Sequence, residues 1–289
     1  KNARTAVEIE WEKCNDYYNG IHDATRDMIE YCRENDIPWL PANLPDPYIL
    51  VESQIDPTVP EPEFRGRDDD LDSEKAKRRE FAVRYIAENN RISDMNTRNE
   101  RRLLKLGDAF WKAYWDEDMR CGEAQGDIRV SDIPVEAVFP DPAVRGGSVQ
   151  DGQYLDYVYR IHKVRFAQVF RADLEELGIT AEEALGEDYV PRGEIFDMTS
   201  ALSDTDDTVQ VLEHWFRQPV ETSVDGETIP AGAVACSVQA GGHELRYIPN
   251  YWRRTGAQNT LFPFVHYWRI QDENRFWNKS ELSAVLDLV

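Results

Sequence analysis

Carboxylates are the side chains whose number and crowding could support chemistry in this sequence. Asp204, Asp206 and Asp207 stand almost side by side, and Glu213 precedes His214. Two carboxylates can share acid and base work on a glycosidic bond, or hold paired metal ions for hydrolysis. In a chain with 55 acidic residues, however, such groupings recur by composition and single out no site. Glu213-His214 lies in a strand-like run and reads as a cross-strand polar pair rather than an acid–base couple. The five histidines (His22, His162, His214, His243, His266) fall in no metal-binding spacing, and the cysteines (Cys14, Cys32, Cys121, Cys236) form no CxxC pair. There is no nucleophile elbow, phosphate loop or dinucleotide fingerprint. The glycine pairs Gly146-Gly147 and Gly241-Gly242 belong to turns. The acidic run 56–72 lacks the spaced ligands and the glycine of a calcium loop. No catalytic residue, cofactor or metal is therefore assigned. An enzyme of unknown class using clustered carboxylates is the alternative. The cluster Trp252, Arg253 and Arg254 can stack on a base or a ring, but its commoner use is in an interface.

The elements that would position these residues follow from composition and period. At 289 residues, 41% hydrophobic and 11% aromatic, the chain can bury one large core or two small ones. No apolar run is long enough to cross a bilayer. The few scattered cysteines predict a reducing compartment. Lys1 in place of Met, with no signal peptide, predicts that the natural N-terminus lies further upstream. The net charge of -22 keeps a chain dispersed and opposes gripping nucleic acid through the overall field, though an acidic wall can guide DNA by repulsion.

Helices are predicted over 5–18, with Val7, Trp11 and Cys14 on one stripe and Gly20 as the stop, and over 21–35. The four prolines of 36–47 impose an irregular segment, and 48–55 reads as a short strand. A Pro- and Asp-rich linker over 56–72 precedes the strongest helix, from Ser73, which offers Phe81 and Tyr85, with Ala82 and Ile86, to a core. A second basic helix, 93–106, carries Arg98, Arg101 and Arg102. Its arginines suit a solvated face, phosphate, or the acidic face of a neighbouring subunit. Beyond Gly107 the period becomes two. Strands are predicted at 109–116, 127–130, 135–139, 154–162, 208–218, 233–238 and 244–248, with a helix at 163–177 and a short one capped by Thr180 and Glu183. Residues 186–207 read as a polar stretch, as do 251–259. An aromatic strand over 262–270 leads through a turn to a helix capped by Asn278 with Glu281. That helix is too short to stand alone, so the chain is expected to stop at the start of a longer helix and to be a piece of a larger protein. The fold class is α+β: N-terminal helices, then an antiparallel β-rich part with an inserted helix, ending in the start of a longer helix.

Four segments carry a resemblance. WEKCNDYYNG (11–20), NRISDMNTRNERRLLKLGDAFWKAYWDED (90–118), GDIRVSDIPVEAVFPDPAV (126–144) and FPFVHYWRIQDENRFWNKSELSAVLDLV (262–289) occur in the order found in portal proteins of tailed bacteriophages and prophages. The chain resembles that family over about residues 7–289, with its specificity in GDIRV…VFPDP and the closing FW-x-KSEL.

The resemblance implies an N-terminal helical arm (1–56), a wing-like α+β domain (57–275) and the start of a stem helix (276–289). It implies a homo-oligomeric ring, usually a dodecamer, at one capsid vertex of the virion, assembled in the bacterial host cytoplasm. Double-stranded DNA would pass through without tight binding. Terminase, capsid and tail-adaptor proteins would be partners, mostly through regions outside this chain; no cofactor, catalytic group or membrane is implied. Trp252, Arg253, Arg254, Trp277, Leu282 and Leu286 are the residues expected at a subunit interface or in the stem.

Overall fold

The computed structural model describes residues 2–21, 30–37, 46–56, 58, 61–66, 70–121, 124–185, 208–224, 226–253 and 260–286. In chain order the helices are α1 (Asn2–Tyr18), α2 (Asp46–Glu52), α3 (Asp70–Asn89), α4 (Ile92–Leu106), α5 (Lys163–Val169), α6 (Arg171–Leu177), α7 (Ala181–Leu185) and α8 (Glu281–Leu286). The strands are β1 (Asp108–Cys121), β2 (Ala124–Ile133), β3 (Val138–Pro140), β4 (Tyr154–His162), β5 (Thr208–Arg217), β6 (Thr222–Val224), β7 (Glu227–Ile229), β8 (Val234–Ala240), β9 (His243–Ile248) and β10 (Phe264–Trp268). Helices lead and every strand pairing is antiparallel, an α+β fold. There are two compact units. One is Lys1–Glu136 with Arg145–Ser148 and Pro263–Val289; the other is Ala137–Val144 with Val149–Phe262.

In the first unit, α1 buries Val7, Trp11 and Cys14, the predicted stripe. Its end is set by Gly20 at φ 76°, where the Gly20 N–H reaches Tyr17 O (3.0 Å) and the Ile21 N–H reaches Asp16 O (2.8 Å). The expected strand at 48–55 is instead α2. Pro47 sits in its first turn, where a missing N–H is no loss, and one turn of helix suffices to bury Val51. Helix α3 forms as predicted, but Phe81 and Tyr85 do not enter a core. Phe81 is 73% exposed, because the 3.6-residue period marks a side of a helix without supplying an element to cover it. Helix α4 buries Met95, Leu103, Leu104 and Leu106. Its arginines turn to carboxylates of the same unit: Arg98 and Arg102 to Asp132, Arg101 to Glu52.

A three-stranded sheet follows, in order β10-β1-β2. Strand β2 is one of its edges, and the side chain of Asn90 covers part of that edge. The Asn90 amide donates to Ile128 O (2.9 Å) while its carbonyl accepts from the Val130 N–H (2.9 Å). A single asparagine thus imitates a neighbouring strand, one way of protecting an open edge.

The second unit is built on a five-stranded sheet, β3-β4-β5-β8-β9, with β6 and β7 as a separate hairpin. Strand β5 buries Val209, Val211, Glu213 and Trp215 on alternate positions. Opposite them on β4 stand Ile161, Tyr159, Tyr157 and Leu155, at alternate positions of the strand. Residues 163–177 form two helices rather than one. The chain leaves the helical region at Phe170 (φ -102°, ψ 17°), where the Phe166 and Phe170 rings pack 5.1 Å apart, both buried. Thr180 and Glu183 make the predicted reciprocal cap of α7, at 2.8 and 3.1 Å. The predicted strand at 135–139 begins as a turn of 3-10 helix (Val135–Ala137) and is extended only over β3. Asp141 then holds the turn, accepting from the N–H groups of Ala143 (2.9 Å) and Gln153 (3.0 Å). The predictions for 22–29, 38–45, 186–207 and 254–259 lie outside the described residues, and with them Asp204, Asp206 and Asp207.

Candidate functional site

The densest polar arrangement lies inside the first unit, where the chain leaves the sheet for α8. Asp108 opens β1 directly after the helix-ending Gly107, and it is fully buried. Its Oδ1 lies 2.9 Å from His266 Nε2 and accepts from the side-chain amide of Asn278 (2.7 Å). Its Oδ2 accepts from the Asn278 main-chain N–H (2.8 Å). His266 Nδ1 is buried without a hydrogen-bond partner among the described residues. The imidazole is stacked between Phe110 (4.5 Å) and Phe276 (4.9 Å), each nearly parallel to it. Two flat rings leave no access from either face. The arrangement holds three chain segments together and presents nothing to a substrate.

Aromatic packing extends the clamp. Trp277 meets Phe276 and Trp11 edge to face, each at 4.9 Å. The Trp11 indole N–H donates to Leu106 O (3.1 Å). The guanidinium of Arg4 lies over both indoles, 4.8 Å from Trp11 and 4.7 Å from Trp277, and pairs with Glu8 at 2.7 Å. Burial pushes Arg4 below the usual arginine range, against the pull of Glu8. The Cys14 thiol stands 3.7 Å from Ser280 Oγ, and burial pushes it up to about 11 despite that contact. It stays protonated at neutral pH and is no nucleophile.

The cap of α8 differs from expectation. Ser280, not Asn278, is the capping residue. Ser280 Oγ accepts from the Ser283 N–H (2.8 Å), and Ser283 Oγ accepts from the Ser280 N–H (3.0 Å). Asn278 does not cap because its side-chain carbonyl, the acceptor a cap would use, takes the Asp272 N–H (3.0 Å), while Asp108 fixes its amide. Glu281 pairs with Arg269 at 3.1 Å rather than folding back on the chain.

Of the residues expected at an interface or in a stem, Trp277 and Leu282 are buried within the first unit, where α8 packs on α1 and α4. Trp252 and Arg253 belong to the second unit. The Trp252 indole N–H donates to Leu261 O (2.7 Å), with its ring edge to face on Tyr251 (4.9 Å). Arg253 is exposed and pairs with Glu227 at 2.8 Å. Arg254 and the side chain of Leu286 lie outside the description. Glu213 and His214 do not form a couple. They point to opposite faces of β5, Glu213 accepting from the Trp215 indole N–H (2.9 Å) and His214 pairing across the strands with Asp156 at 2.5 Å. Sequence reasoning missed Asp108 and His266. Their signal was an ionisable residue two positions from a buried aromatic ring on each strand, Asp108 before Phe110 and His266 after Phe264.

Among the described residues no three His, Cys, Asp or Glu side chains are grouped as a metal ion would need, and no helix is long and apolar enough to cross a membrane. Comparison with curated proteins finds no match. The phage P22-like portal protein family matches residues 10–275, a span that takes in nearly all of both units. The chain therefore belongs to the phage P22-like portal protein family, a family of structural components of the bacteriophage virion.

Proposed function

We propose that this chain is a subunit of a homo-oligomeric portal ring at a capsid vertex, through which DNA enters during packaging and leaves at ejection. The family match over residues 10–275 carries the reading. The physical chemistry is consistent with it. A net charge of -22 repels phosphate, so DNA can slide past without the counterion release that makes nucleic-acid binding tight. The best-formed polar cluster, Asp108 with His266 and Asn278, is committed to holding the chain together, as suits a subunit whose work is geometric. The motor that hydrolyses ATP, the capsid and the tail adaptor are then separate partners.

Native mass spectrometry or negative-stain imaging of the natural full-length polypeptide tests this. A closed ring of identical copies is expected. A polypeptide that stays monomeric at every concentration would overturn the assignment. Filter binding supplies an independent reading: weak retention of duplex DNA at physiological salt is expected, and tight, steeply salt-dependent retention would contradict a passive conduit.

A further inference from the structure

Helix α3 presents an outward face that its own chain leaves bare. Phe81 is the most exposed large apolar side chain among the described residues, at 73%; Tyr85 marks the border of that face, 42% exposed but tied to its own unit through its hydroxyl. Lys77 and Arg78 share their side of the helix, at spacings of three, four, seven and eight. The attachments of α3 lie elsewhere. Ala76 is buried, Asn89 and the Tyr85 hydroxyl bond to Asp127 (3.1 and 3.3 Å), and Arg84 pairs with Glu61 and Glu80. The arginines of α4 are consumed inside the unit, whereas the run Lys75, Lys77, Arg78 and Arg79 is exposed on a strongly acidic chain; Arg78 makes a solvated contact of 3.6 Å with Glu74, worth little at the surface.

We infer that this face of α3 docks on a second copy of the chain; the inference rests on the ring reading above and names the surface that would serve it. Charge decides the kind of contact. A self-matched two-fold contact would set Lys77 and Arg78 against their own images. An acidic surface with exposed apolar groups completes the face instead, and the first unit offers one. Tyr31 (60% exposed) and Ile37 (46%) stand among Glu30, Glu34 and Asp36, with Arg33 as the one base of that segment. A contact between two different faces repeats from copy to copy and closes as a ring when the rotation allows. Phe81 from one copy and Tyr31 from the next supply the apolar centre, and the charges the rim that sets register. Duplex DNA is the less suitable occupant, because Glu74 and Glu80 interrupt the basic run and phosphate has no use for a bare phenyl ring.

Charge reversal in the natural full-length polypeptide tests this, read as the concentration at half assembly by native mass spectrometry. K77E/R78E and E30K/E34K should each raise that concentration by about tenfold or more, and the combined variant should return to within about threefold of wild type. All four side chains are on the surface, so circular dichroism should stay unchanged. A photoreactive residue in place of Phe81 should capture a peptide from segment 30–37 of another copy. Wild-type assembly by K77E/R78E, or capture confined to its own chain, overturns the inference and leaves the portal reading standing. Failure of the wild type to assemble removes both. Capture of a different region of another copy rejects segment 30–37 as the acceptor. Displacement of the capture by short duplex DNA makes phosphate the occupant and overturns the contact between copies.

Discussion

Asp108 and Asn278, 170 positions apart, are joined by two hydrogen bonds of 2.8 and 2.7 Å, so that the first residue of β1 grips the turn that leads into α8. His266 completes the carboxylate from β10. The departure of the last helix is thus fixed by polar contacts inside an aromatic core, where unmade hydrogen bonds are expensive.

Replacing Asn278 with Ala removes the amide donor from Asp108 Oδ1, which then keeps His266 alone, and takes away the carbonyl that holds the Asp272 N–H, while the main-chain bond to Oδ2 remains. The variant should lose about 2–4 kcal/mol in urea unfolding, with faster amide exchange in α8. Unchanged stability would show that the clamp carries no weight.

Gly107 is held by two constraints. Its φ of 88° disfavours any side chain, and a Cβ there would overlap the Asn278 carbonyl. Gly178, at φ 67°, has nothing within 4 Å. Gly178→Ala should cost about 1–2 kcal/mol, the price of the left-handed backbone alone. Gly107→Ala should cost about 1–3 kcal/mol beyond that, from overpacking. Equal losses by thermal denaturation would refute the close-approach argument.

Glu52 accepts two hydrogen bonds from Arg101 (2.6 and 2.8 Å) and one from the Tyr18 hydroxyl (2.6 Å). The Arg101 bonds hold its carboxyl at about 2, below the ordinary value of 4.5, although partial burial opposes them. A folded value below the unfolded one means a stabilisation present in full above about pH 4.5 and lost as the pH falls toward about 2. The stability gap between wild type and Glu52→Gln should hold constant from about pH 7 to 5 and close across the acid range. A gap that ignores pH would place the stabilisation elsewhere. Burial, aided by the Glu52 bond, pushes Tyr18 up to about 12.

Thr180→Ala removes one half of a reciprocal cap on a short helix. A loss of about 1 kcal/mol is expected, with enhanced exchange confined to α7. A change spread through the second unit would mean that the cap supports more than its own helix.

Local chemistry was legible in the sequence wherever a residue acts on its immediate neighbours. The stripe Val7, Trp11 and Cys14, the stop at Gly20, the Thr180–Glu183 cap and the Gly241-Gly242 turn could all be read from spacing. Residues 48–55 could not, because Asp46-Pro47 favours a first helical turn as readily as it ends an extended one, and the burial of Val51 decided the matter. The Asn278 cap failed for a similar reason: its side-chain carbonyl accepts from the Asp272 N–H, in an orientation fixed by the bond of its amide to the distant Asp108. Phe81 and Tyr85 were assigned to the correct side of a real helix, but only tertiary structure reveals whether anything lies against that side. The second compact unit lies within the sequence span of the first, so composition along the chain marks no single boundary for it.

Asn90 has a consequence for how copies of this chain can meet. Its amide fills the free main-chain groups of Ile128 and Val130, so a foreign strand cannot add itself there without first evicting it. Fibre-like growth by continuous main-chain ladders is barred along that stretch. A neighbour that meets this stretch must recognise it through side-chain identity, which leaves that fit open to tuning by substitution.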